Sequence, residues 1–143
     1  MNAPYDKAAW TVAAIVIGRL IFAAIFAMAA AFKFTGMEGT ASYIAAAGFP
    51  FPLLLAWVAA FFETALVISF LTGAYFSEGA LLAAAYVLFL AFAFHGPARW
   101  SGNQTEFGFF VNHFTFIAGL LFAAVHGPGR TLVIRRSFLR SNG

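Results

Sequence analysis

The chain has 143 residues, of which 63% are hydrophobic and 9% charged, against roughly a quarter charged in an ordinary soluble domain. It contains no cysteine, which excludes a disulfide relay, a thiolate nucleophile, an iron–sulfur cluster and covalent haem attachment through its own residues. The net charge of +3 is no sign of nucleic-acid binding, because half of the basic residues fall in the last 14 positions, where they suit topology and anionic lipid.

Four apolar stretches of about twenty residues predict an all-α fold, an integral membrane four-helix bundle forming a single membrane domain over residues 1–143. A hydrocarbon core about 30 Å thick needs on the order of 20 helical residues to cross. The first span is predicted over residues 10–32, with Arg19 inside it and Lys33 at its far end. Ala27-Met28-Ala29 fits a small-x-small cleavage pattern. The apolar run from Ala8 to Phe32 is nevertheless much longer than the roughly 7–15 residues of a signal core, which favours a retained helix. Between spans one and two, Tyr43 to Gly48 predicts a short interfacial helix, stopped by Gly48 and Pro50.

The second span, residues 52–71, opens on Pro52, whose missing N–H is not needed at a first helical position, and carries Glu63. A turn around Gly73 leads to the third span, residues 78–95, with Ser77 expected as N-cap and Glu78 at the positive end of the helix dipole. The polar segment Gly96 to Glu106 precedes the fourth span, residues 107–126, and a basic cytoplasmic tail covers 127–143. The long Ala-rich runs show no alternation that would predict strands.

The ends of spans three and four echo one another in His95-Gly96-Pro97 and His126-Gly127-Pro128. They lie on opposite faces and read as local helix stops, with Gly expected in a left-handed conformation and His at the negative helix end. Lys7, Arg130, Arg135, Arg136 and Arg140 fall on one side of an even-spanned bundle and Lys33 and Arg99 on the other, five against two. That imbalance predicts cytoplasmic termini. Asn103-Gln104-Thr105 matches a glycosylation sequon, a motif too short to carry weight.

Arg19 and Glu63 are the sharpest polar feature, because an ionisable side chain at mid-membrane costs about 2.5–3.5 kcal/mol on insertion scales. Each lies about eight residues, or ~12 Å, from the cytoplasmic end of its span, which predicts a buried ion pair between antiparallel neighbours. Small-residue stripes, Ala56, Ala60 and Thr64 on span two and Ala14 and Gly18 on span one, favour close approach. Such a pair serves either helix register or proton-linked ligand chemistry; the other reading is Arg19 snorkelling alone to the headgroups.

A second constellation gathers toward the outer face: Lys33, His95, Arg99, Asn112 and His113, amid Phe109, Phe110, Phe114 and Phe116. Basic and imidazole groups in aromatic surroundings are candidates to bind an anion or the carbonyl of a quinone ring; the plainer alternative is an interface belt of anchors. His95 and His113 are expected at different depths and lack an HxxxH-type companion, so no metal site is assigned. No nucleotide loop, Ser–His–Asp set or zinc-peptidase motif is present.

Over residues 15–132 the chain resembles the DoxX family of small four-helix membrane proteins. The resemblance rests on Gly18-Arg19-Leu20-Ile21-Phe22, Lys33 closing span one, Gly48-Phe49-Pro50, Phe62-Glu63, Leu71-Thr72-Gly73 and Gly127-Pro128-Gly129-Arg130. The chain departs from the family at Ala30, where glycine is frequent, and at Thr131-Leu132-Val133, where Ser-Leu-Asp is common. Named members are similar to subunits of quinone-linked respiratory complexes, including thiosulfate:quinone oxidoreductase and a terminal quinol oxidase. The resemblance therefore implies a bacterial inner (plasma) membrane protein with Arg19, Lys33 and Glu63 as its polar positions.

The expected function is a quinone-binding or accessory subunit of a membrane redox complex, with no intrinsic cofactor, catalytic residues unassigned, and a redox-inactive part in any oxidoreductase activity. Expected partners are the bilayer and either redox subunits or further copies of the chain, with no nucleic acid. The alternatives are a small-solute transporter or permease using the Arg19/Glu63 pair, and a purely structural assembly factor.

Overall fold

The structure, a computed structural model, describes residues 9–134 and 136–139. Lys7, Arg135 and Arg140, which enter the orientation count, lie outside the described residues. The elements are α1 (Ala9–Thr35), α2 (Met37–Ala46), α3 (Pro52–Thr72), α4 (Phe76–His95), a 3-10 turn (Pro97–Arg99) and α5 (Gln104–His126). No strand occurs among the described residues. The expected all-helical architecture holds: α1, α3, α4 and α5 are each long and apolar enough to cross a membrane.

Three boundaries differ from expectation, each for a local reason. α2 starts at Met37 rather than Tyr43, because the break falls at Gly36 and Glu38 suits the positive end of the helix, which runs on through Gly39. α5 starts at Gln104 rather than Phe107, because the Asn103 side chain accepts the Glu106 backbone N–H and caps the helix. α4 starts at Phe76, so Ser77 is a buried first-turn residue and not the N-cap. The flanking position is Tyr75, held in a left-handed conformation at φ 51°. The two echoing helix ends also diverge. Gly127 has φ 76° and its N–H closes on the Ala123 carbonyl, whereas Gly96 is extended at φ −68°. Glycine is needed there for space, since a Cβ would stand 2.5 Å from the Phe92 carbonyl oxygen.

α1 packs along α3, α4 along α5, and α2 lies across α3. Many fully enclosed positions are alanine, among them Ala56, Ala60, Ala80, Ala83 and Ala91, which lets helix backbones approach in a setting where lipid competes with any apolar side chain. Ala14 is exposed, and a Cβ on Gly18 would meet nothing within 4 Å, so the stripe on α1 is not a helix seam. Outward positions such as Ile17, Phe61, Phe122 and Val125 present an apolar, lipid-suited surface.

The two halves of the bundle are filled differently. The half that holds the α3–α4 turn and the segment after α5, the tail end, is closed by rings of Phe22, Phe26, Phe70, Phe76 and Phe116 with centroids 5.4–5.8 Å apart. The α2 end is roofed instead: Tyr43 of α2 stacks on Phe94 at 5.0 Å, and Phe49 meets Phe89 and Phe94. At the tail end α3 and α4 touch closely, and a Cβ on Gly79 would stand 2.6 Å from Ser69 Oγ. That hydroxyl donates to the Ala74 carbonyl at 2.9 Å and so resists displacement. Gly79→Ala is therefore expected to lower stability by about 1–3 kcal/mol through overpacking, measured as a drop in the unfolding midpoint in detergent.

Candidate functional site

Arg19 and Glu63 are both buried, at 5% and 2% exposure, but the expected ion pair between them is not formed. Arg19 donates all five of its guanidinium N–H groups to backbone carbonyls. Nε bonds Phe70 O at 3.1 Å, Nη1 bonds Pro128 O and Thr131 O, and Nη2 bonds Leu71 O and Leu132 O. Phe70 and Leu71 lie in the last turn of α3, whose carbonyls have no helical partner and carry the negative end of the dipole. Arg19 thus ties the end of α3 to the segment that follows α5.

Glu63 instead accepts from Lys33 Nζ at 2.8 Å and from the Tyr86 hydroxyl at 2.8 Å. Both bonds fall on Oε1, and the enclosed Oε2 has no hydrogen-bond partner among the described residues. The pairing differs from expectation because side chains on a helix lean toward its N-terminus. On α1 that lean carries the Arg19 head toward the tail end, seven residues or ~10 Å along α3 from Glu63. The same lean brings Lys33 back from the helix end into the bundle, with Nζ 3.5 Å from the Ala29 carbonyl one turn earlier.

Beneath α2 lies a cavity of about 990 Å³. Its walls are apolar and aromatic, including Phe32, Phe49, Phe62, Phe89 and Phe94. Lys33, Tyr86, His95 and His113 supply most of its polar groups. Of the outer-face candidates, Lys33, His95 and His113 come together here. Arg99 and Asn112 are exposed and do not line it. Arg99 sits in the 3-10 turn beyond the end of α4.

Each basic group at the cavity has a partner behind it. His95 Nδ1 lies 2.7 Å from Glu106 Oε2, and His113 Nδ1 donates to the Phe109 carbonyl at 2.6 Å. The two imidazole rings are 5.2 Å apart, tilted by 43°. Trp100 Nε1–H bonds the His95 carbonyl and steadies the same corner.

Tyr86 and Glu106 were not visible as site residues in the sequence. A tyrosine inside an apolar span does carry a usable signal, because a buried phenol seeks a partner. Glu106 reads as the end of a polar loop until the Asn103 cap places it in the first turn of α5, within reach of His95.

The DoxX family model matches residues 14–96, more than half of the chain. The chain belongs to the DoxX family. No curated protein and no solved structure matches it. The DoxX match contains Arg19, Lys33, Glu63, Tyr86 and His95, and ends before Glu106 and His113. The chain is thus a DoxX-family membrane protein whose matched segment carries both the carbonyl-bound arginine and the Lys33–Glu63–Tyr86 cluster.

Proposed function

We propose that this DoxX protein holds a quinone in the cavity beneath α2, as an accessory subunit of a quinone-linked redox assembly in the bacterial inner membrane with both termini cytoplasmic. The observation that carries the reading is the cavity's single ammonium, Lys33, already countered by Glu63 at 2.8 Å. The corner offers a free N–H without net charge, which suits a neutral carbonyl oxygen better than an anion. Arg99, the other cation considered for an anion site, is outside the cavity.

The histidines add the complementary polarity. With Nδ1 of each engaged, a neutral ring keeps Nε2 as an acceptor, suited to a hydroxyl. Carbonyl and hydroxyl oxygens both find partners, and aromatic walls suit a flat ring. The chain has no cysteine to relay electrons, so in this reading a bound molecule or a partner subunit supplies them to the quinone. The permease alternative required an Arg19/Glu63 pair, and the donors of Arg19 are all engaged elsewhere.

The test is equilibrium binding of a short-tailed ubiquinone to the full chain in nanodiscs. Lys33→Met combined with Glu63→Gln removes the donor without orphaning a charge, and is expected to weaken binding about tenfold or more, or ~1.4 kcal/mol. Arg99→Ala is expected to leave it unchanged. Absence of saturable binding to the parent protein, or solute uptake by proteoliposomes containing this chain alone, would overturn the reading.

A further inference from the structure

Facing stripes of α3 and α4 stay apart where neighbouring helices normally press together. On α3 the stripe is Leu55, Val58, Ala59 and Phe62; on α4 it is Tyr86, Phe89 and Leu90. The spacings of three and four put each set on one helical face, and both faces line the cavity instead of one another. They touch at its floor, where the Phe62 and Tyr86 rings are 5.1 Å apart. Toward the tail end the same two helices close fully at Gly79 and Ser69.

The outer lips of this gap are apolar and open, with Val58 55% and Phe89 51% exposed. Val58 lies six residues past Pro52, or ~9 Å into a membrane-crossing helix, so the gap faces hydrocarbon rather than water. An aqueous ligand gains nothing from such a doorway. A lipid-dissolved one does, because its chain can remain in the bilayer while its head turns inward to Lys33 and the histidines.

We infer that the α3–α4 gap is a side entrance from the membrane, and that the occupant is a two-part molecule. An uncharged oxygen-bearing ring sits against Lys33 and Tyr86, and a long hydrocarbon tail passes out between Val58 and Phe89. The identity of the ring rests on the quinone reading above; the tail and its route rest on the gap.

The experiment uses the full chain in nanodiscs with a polyprenyl quinone bearing a diazirine in its tail, and maps the photolabel by mass spectrometry. Labelling concentrated on residues 54–61 of α3 and 85–92 of α4 is the expected result. Labelling mainly around Phe32 and Phe109, or on α2, overturns the side entrance and leaves quinone binding standing. Val58→Trp provides a second measurement. It is expected to weaken the tailed quinone about tenfold while a tail-less analogue stays within about twofold, differences of ~1.4 and ~0.4 kcal/mol. Equal effects on both ligands count against the tail route. If neither quinone binds the parent protein, the quinone reading itself has failed and the inference goes with it.

Discussion

Glu63→Gln is expected to lower stability by about 3–5 kcal/mol, because it leaves the Lys33 ammonium in the bundle without its counter-charge. The carboxylate is 2% exposed, so the change falls at an enclosed position. Lys33→Met is expected to be similarly costly, since the remaining carboxylate then has the Tyr86 hydroxyl alone. The double substitution removes both charges and is expected to recover most of the loss, as buried ion pairs replaced by neutral groups often do. Thermal unfolding in detergent, completed as a double-mutant cycle, measures this directly. Simple addition of the two single effects would show that the 2.8 Å contact carries no coupling.

The same cluster marks where sequence reading stops. The spans were legible because bilayer thickness imposes a length and composition that no other constraint imitates. The burial of Arg19 and Glu63 was legible for the same reason, as both stand inside apolar runs. Their partners were not, because residue spacing gives depth along the helix axis, whereas Arg and Lys heads sit several ångströms from their own Cα positions. On α1 both heads lean the same way, so Arg19 leaves the level of Glu63 just as Lys33 reaches it. The tail's part was hidden more deeply. Backbone carbonyls carry no sequence signature, and three of the five oxygens around Arg19 come from Pro128, Thr131 and Leu132.

The cavity was half legible. Lys33, His95 and His113 share a position near one membrane face in the sequence, and all three line the cavity. Arg99 shared the face but not the interior: Gly96 and Pro97 end α4 and send the chain into a turn outside the bundle. Asn112 adjoins His113 in sequence, yet one residue is a 100° rotation on a helix, enough to face it away.

Arg19→Ala is expected to have the largest effect in the molecule on the segment after α5. Hydrogen bonds to a charged group are worth about 1.5–3 kcal/mol each, and five are lost together, so a loss of more than ~3 kcal/mol is expected even with strong non-additivity. The loss is directed. Leu132 is held in a left-handed conformation at φ 53° with its carbonyl on Nη2, a strained backbone state that persists only while its surroundings fix it. Arg130 is exposed between two anchored carbonyls, so trypsin reports the release of this segment. Cleavage after Arg130 is expected to accelerate about tenfold or more in Arg19→Ala, a shift of at least ~1.4 kcal/mol in local opening. Arg19→Lys keeps the charge but has three donors at one point, too few and too close together to reach both the end of α3 and the tail. It is expected to fall between parent and alanine. A snorkelling arginine, by contrast, tolerates lysine fully, so parental cleavage rates in Arg19→Lys would mean that charge, and not the five-carbonyl geometry, holds the tail.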